Sequence, residues 1–241
     1  MSKEGSMFED RKMYLSRVRA LAEKPAKLIR ILRADNYSLH KMMWSLFPDN
    51  PHAKRDFLFR KDIQHGWPVF YALSPRQPVP VIGVFDVETK VFSPKLRAGD
   101  RLAFTLRANP VQTRKTGDPN PKKRKRDDVV MRLKRELRAK KNPEDKTPSQ
   151  SELIQKTGEE WLRRQAAKRG FKVETVGVDG YQQHIFYSKS RKIHFSSLDF
   201  NGILEVTNTD KFLDTLYFGI GPAKAFGCGL MLISRANKTA Y

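Results

Sequence analysis

The sequence predicts an α+β fold made of two tandem ferredoxin-like domains, RRM-like in their βαββαβ order. Three observations predict it. Short stretches of alternating apolar and polar residues recur along the chain and read as half-buried strands. Helical patterns with capping signals lie between some of them. In the second half the segments run strand, helix, paired strands, helix, strand. With 241 residues, 39% hydrophobic and 15 of them Phe, the chain can core one large domain or two small ones.

Residues 1–12 read as an N-terminal extension, polar and charged, with no signal peptide. The first domain is expected over residues 13–96, and residues 13–18 alternate as its first strand. A helix is expected over 36–47, capped by Asp35 or Asn36 and ended by Pro48. Strands are expected at 56–60, 69–73 and 81–91, with Pro and Gly in the gaps. No second helix stands out in this half.

The second domain is expected over 97–235, with a tail at 236–241. Residues 101–108 pattern as a strand that runs into Asn109-Pro110. A polar, proline-containing and densely basic insertion follows, at about 114–148. A helix is expected over 150–169, because Ser149 and Glu152 form a capping box and Gly170 supplies a stop. Then come strands at 171–178, 182–187, 192–197 and 202–207, a helix at 210–218 and a last strand at 230–234.

Lys and Arg outnumber Asp and Glu by 47 to 26, a net charge of +21. Such an excess is a footprint for polyanions, RNA or DNA first, against the plainer reading of a protein that is basic for solubility. The single cysteine, Cys228, excludes an internal disulfide and a cysteine-based zinc site. No apolar run approaches the roughly 18 residues of a membrane helix, so a soluble, intracellular protein without a membrane partner is expected.

Two places could carry chemistry. At about 100° per residue, the helix over 36–47 puts Leu39, Met42, Met43 and Leu46 on one stripe, which reads as a core face. Tyr37, His40, Lys41 and Trp44 fall on the opposite, accessible stripe. His40 is the side chain suited to move protons near neutral pH, and Tyr37 is its helical neighbour. RNA carries its own nucleophile, the 2′-hydroxyl beside each phosphate. Cutting by that route needs a proton acceptor or donor, stabilised phosphate charge and an aligned geometry. No compact carboxylate cluster points to a two-metal nuclease. Spacing alone leaves His40 open as a surface histidine. His52, His65, His184 and His194 read as structural residues or nucleic-acid contacts.

The second place is the glycine-rich stretch at 219–230, with Gly219, Gly221, Gly227, Gly229 and, in its middle, Lys224. It is no P-loop, since Ala225 follows Lys224, and no dinucleotide fingerprint, since Lys224 stands where a third glycine belongs. Two readings remain: a backbone that approaches phosphate or sugar closely, or a turn that ends a helix before the last strand. The block 122–141 adds eleven Lys or Arg against Asp127, Asp128 and Glu136. Lys122, Lys123, Arg124, Lys125, Arg126, Arg132 and Arg135 read as phosphate contacts. A disordered charged insertion is the alternative, and residues 121–126 also resemble a nuclear import signal.

Taken together, these segments resemble the CRISPR-associated endoribonucleases of the CasE family, the RNA-processing subunit of type I-E Cascade. The resemblance rests on Met13-Tyr14-Leu15-Ser16, Tyr37-Ser38-Leu39-His40, Leu46-Phe47-Pro48, Arg55-Asp56-Phe57-Leu58-Phe59, Leu106-Arg107-Ala108-Asn109-Pro110 and, most of all, the glycine-rich stretch. It implies two ferredoxin-like domains that cut CRISPR precursor RNA at the 3′ base of the repeat stem-loop. It implies metal-independent cleavage with no cofactor, leaving a 5′-hydroxyl and a 2′,3′-cyclic phosphate. The product stays bound, other Cascade subunits are partners, the place is the cytoplasm, and the free protein is expected to be a monomer. His40 matches the family's catalytic histidine and Tyr37 its neighbouring tyrosine. The glycine loop would lie close to RNA, and Lys224 is assigned a phosphate contact from its charge and position. Lys41, Arg107 and Asn109 complete the expected RNA-binding set. A same-fold subunit that holds the RNA without cutting it is the alternative. The chain departs from the family in residues 1–12, in a longer connection at 21–35 and in its richer basic block.

Overall fold

A computed structural model describes residues 12–21, 29, 31, 34, 36–48, 54–114, 125–139, 148–188 and 191–236. The chain divides into two compact units, Met1–Lys95 and Leu96–Tyr241.

In the first unit, β1 (Tyr14–Ala20), α1 (Asn36–Trp44), β2 (Leu58–Gln64), β3 (Trp67–Ser74) and β4 (Phe85–Val91) follow one another. The sheet order is β2-β3-β1-β4, and every neighbouring pair is antiparallel. Opposite charges face each other across β1 and β4: Arg17 meets Glu88 at 2.6 Å and Arg19 meets Asp86 at 2.7 Å, pairs that favour this register. The core gathers Val18, Leu39, Met43, Leu46, Phe57, Phe59, Phe70 and Phe85, with Phe70 set edge-on to Phe85 at 5.9 Å. The expected strand at 56–60 starts later, at Leu58, because Phe57 is drawn into this core and Asp56 is tied to Arg76 at 2.7 Å. The expected helix over 36–47 ends as a helix at Trp44. Its last turn tightens through Leu46 N–H to Met43 O (3.3 Å) and Phe47 N–H to Trp44 O (2.9 Å), bonds of 3₁₀ type. The expected strand at 81–91 loses its first part to a turn in which Val84 N–H bonds Val81 O at 2.9 Å.

The second unit holds β5 (Arg101–Ala108), β6 (Val111–Arg114), β7 (Lys125–Asp128), α2 (Val129–Ala139), α3 (Gln150–Ala166), β8 (Phe171–Ser188), β9 (Arg191–Val206), α4 (Thr209–Phe218), a 3₁₀ turn (Lys224–Phe226) and β10 (Met231–Arg235). Its main sheet runs β10-β5-β9-β8. Counted within each unit, both sheets place the first and third strands centrally, with the fourth beside the first and the second beside the third. The chain is thus a tandem of ferredoxin-like folds. Asn208 caps α4, accepting from Lys211 N–H at 2.9 Å, and Ser149 caps α3 through the expected box, with Glu152 reaching back to Ser149 N–H at 2.7 Å.

Two expectations are corrected here. The four short strands between residues 171 and 207 are two long ones, β8 and β9, whose pairing shifts register between Val173 and Thr175 and between Asp179 and Gln182. The basic insertion is partly folded. β6 and β7 form a hairpin, and Asp128 caps α2 by accepting from Met131 N–H at 2.9 Å. Val129 and Val130 are buried, Trp161 Nε1–H bonds Val111 O at 3.1 Å, and Tyr181 Oη–H bonds Asp128 Oδ2 at 2.9 Å. Among the described residues no helix is long and apolar enough to cross a membrane.

Candidate functional site

The helix α1 folds by one face and displays the other. Leu39 and Met43 are buried, and each such side chain contributes about 1.5–3 kcal/mol. Opposite them Tyr37 and His40 are half-buried and Lys41 is exposed. The Lys41 ammonium lies 4.5 Å from the centre of the Tyr37 ring, a cation–π contact that fixes phenol and charge side by side. Trp44 does more than share the accessible stripe. Its indole packs edge-on against Phe57 at 5.3 Å, and Phe57 stacks on Phe47 at 4.8 Å. From that anchored position Trp44 Nε1–H donates to His40 Nε2 at 3.1 Å. An indole N–H can only donate, so His40 Nε2 is the unprotonated nitrogen of the ring. The arrangement offers a lone pair, a phenol and a cation within two turns of one helix.

The glycine loop of the second unit is built differently. Ile220, Cys228 and Leu230 are buried, so much of the stretch is core. The loop closes on itself through Ile220 N–H to Gly229 O (3.0 Å) and joins the sheet through Gly229 N–H to Arg107 O (2.7 Å). Gly229 has φ +93°, and a Cβ there would meet Ile220 O at 3.0 Å. Gly221 has φ +76°, and a Cβ there would approach Asn109 O at 3.2 Å. Both positions require glycine for backbone reasons of their own. Gly219 ends α4 with its N–H on Thr215 O at 2.9 Å, and Gly227 follows the 3₁₀ turn with φ +83°. Lys224 Nζ donates to Phe218 O, a carbonyl in the last turn of α4, where a cation is favoured.

The expected contacts Arg107 and Asn109 lie under and beside this loop. Arg107 forms a two-pronged pair with Asp199, at 2.8 and 2.7 Å, across β5 and β9. Asn109 is buried. Next to the Arg107 pair, His184 Nε2 meets Ser197 Oγ at 2.8 Å, and the ring stacks on Phe195 at 4.6 Å. Burial, and secondarily the Arg107 charge, hold the His184 imidazole below its ordinary pKa. Phe226 from the loop stacks on Phe195 at 5.5 Å and meets Phe186 at 5.0 Å, clasping the loop to β8 and β9.

In the insertion, Arg132 pairs with Glu136 at 2.7 Å and Arg135 reaches Asp127 at 3.7 Å. Arg126 is exposed on β7, where Lys125 contributes backbone pairing. Lys122, Lys123 and Arg124 lie outside the described residues.

With this geometry in view, comparison with known proteins decides the family. The sequence matches the CRISPR-associated protein family over residues 13–235. The chain belongs to that family. It is 29% identical over 226 residues to the Cascade subunit CasE of Escherichia coli K12, covering 92% of this chain and 99% of that protein. Its fold is similar to Thermus thermophilus Cse3 bound to an RNA representing a pre-cleavage complex, with a TM-score of 0.66 and 25% identity over 92% of this chain and 99% of that one. It is also similar to Cas6e of E. coli K-12, with a TM-score of 0.60 and 26% identity over 92% of this chain and all of that one.

Sequence reasoning missed three members of these sites. Trp44 falls on the right stripe, but its bond to His40 goes with packing against Phe57, which lies outside the helix. Ser197 meets His184 only because β8 and β9 pair, and Phe226 reaches the same cluster only because the glycine loop folds onto Phe195 and Phe186. The i, i+4 spacing of His40 and Trp44 was the one signal available for the first of these.

Proposed function

We propose that this chain is a metal-independent endoribonuclease that cuts CRISPR precursor RNA within the repeat, at the 3′ base of its stem-loop. It retains the mature RNA as a subunit of Cascade, in the cytoplasm. What carries the reading is membership of the family over residues 13–235, with a relative named as the Cascade subunit CasE along 92% of the chain. The relative of known structure held with RNA adds support for the substrate class.

In this reading α1 does the chemistry. RNA displaces the indole N–H from His40 Nε2, and that nitrogen accepts the proton of the attacking 2′-hydroxyl. The 2′-oxygen bonds to phosphorus and the bond from phosphorus to the 5′-oxygen breaks. The leaving oxygen takes a proton, and a 2′,3′-cyclic phosphate and a 5′-hydroxyl result. Lys41 opposes the charge that gathers on the phosphate, and Tyr37 positions or protonates from the same face. The glycine loop and Lys224 set the RNA in place.

The test is a labelled repeat stem-loop RNA incubated with the protein in EDTA, beside a substrate carrying a 2′-deoxy sugar just 5′ of the cut. Cleavage of the first RNA alone is expected. Tight binding with neither RNA cut would leave a subunit that only holds the repeat.

A further inference from the structure

The folded insertion creates a cleft that the sequence did not foreshadow. It lies between α2 and α3, is floored by β6 and encloses about 280 Å³. That is at the lower edge of small-ligand sites, room for a phosphate group with part of its sugar. Three cations line it: Arg132 from α2, and Lys156 and Arg164 from α3. Two carboxylates accompany them, Glu136 and Glu160.

The hydrogen bonds divide these charges unevenly. Glu136 is taken up by Arg132 at 2.7 Å. Arg164 instead ends on neutral oxygens, Glu160 O at 3.1 Å and the Gln112 amide oxygen at 3.2 Å. The same Gln112 Oε1 also accepts from Arg132 at 3.4 Å. One amide oxygen thus gathers two guanidinium groups that repel each other. An anion between them would relieve that repulsion, and guanidinium donors match phosphate oxygens in geometry. Lys156 stands one helical turn from Glu160 and two from Arg164 on α3, adding a point charge to the same wall.

We propose that this cleft binds a backbone phosphodiester of the RNA, gripped by Arg132, Lys156 and Arg164, with Gln112 holding the two guanidinium groups together. The inference rests on the RNA-processing reading and names a contact within it. Phosphate contacts position RNA without reading its sequence, so the cleft fixes where the strand runs rather than which repeat is chosen. Glu160, facing the same space, weakens the site and sets its affinity.

The experiment measures binding of labelled repeat stem-loop RNA, with its flanking single strands, to the full chain across a salt series. Arg164→Ala and the exposed Lys156→Ala are each expected to weaken binding about three- to tenfold, with the salt slope smaller by about one. Glu160→Gln is expected to tighten it about twofold. Lys211→Ala, the same charge change on α4 outside the cleft, serves as the comparison and should change binding less than twofold. Cleavage at saturating protein should stay at the unsubstituted rate for Lys211→Ala, which lies outside the cleft. Cleft variants that match Lys211→Ala, or a Glu160→Gln that binds more weakly, overturn the proposal while the unsubstituted chain still binds. A chain that fails to bind repeat RNA at all overturns the RNA-processing reading and this one together.

Discussion

The histidine helix of the first unit and the glycine loop of the second both carry candidate functional residues, yet they relate to folding in opposite ways. On α1, Leu39 and Met43 hold the helix to its sheet while Tyr37, His40 and Lys41 stand on the other side. In the proposed reading, folding and chemistry are divided between faces. In the loop, buried Ile220, Cys228 and Leu230 alternate with the glycines, and Lys224 is bonded back to Phe218. There, in the proposed reading, the same short stretch would have to do both. A helix face tolerates change that a self-closing loop does not.

Substitution can sharpen or break this contrast. The largest effect is expected at His40. His40→Ala should slow single-turnover cleavage by about 10²–10⁴-fold and cost less than about 1 kcal/mol of stability, with RNA binding nearly intact. Cleavage that survives this change removes the helix from the chemistry. Next comes Gly229→Val, which places a branched side chain at φ +93° against Ile220 O. Thermal melting should report a loss of about 2 kcal/mol or more, and RNA binding should fall with it. A stable variant that binds poorly would mean that the loop separates its two duties after all.

Trp44→Phe keeps a ring against Phe57 and removes only the N–H that reaches His40. Cleavage is expected to change about three- to tenfold, with stability lowered in thermal melting by no more than about 1 kcal/mol, the worth of a single hydrogen bond. The smallest effect concerns pH. The His184 pKa is depressed in the folded state, so the native ring resists protonation more than the unfolded one. Its contribution is whole above the unfolded value of about 6.5 and is lost as pH falls below that toward the folded value. Denaturant titrations should show stability declining below pH 6.5, and His184→Gln should flatten that part of the curve.

Much of the frame was legible because local signals agreed with the final packing. Strand β5 was bounded correctly by its alternation, and the Ser149–Glu152 box marked the start of α3. The long strands were not legible as such. Gly177, Asp179 and Gly180, then Asn201-Gly202, look like turn signals, whereas the pairing absorbs them through register shifts and a tight fit of Gly202 against Thr175 O. The helix α2 was hidden by its charge, since Val129 and Val130 are its only buried residues among many basic ones. For the site, helical spacing assembled Tyr37, His40 and Lys41, because all three lie on one element. No local pattern could bring Gln112, Arg132 and Arg164 together, since they come from three elements that meet only in the folded insertion.

The length of β8 and β9 has a consequence for amide hydrogen exchange. β5 supports β9 only as far as the pair Ala108 and Leu198, and beyond it, among the described residues, the two long strands form strand pairing only with each other, out to Ser188 and Arg191. A two-stranded ribbon is marginal by itself in water, so its amides should open far more often than those near Val173, where the full sheet backs them. Phe226 ties the glycine loop to the ring of Phe195 on that ribbon. Ribbon and loop should therefore exchange as one cooperative unit, and whatever steadies one end slows solvent entry at the other.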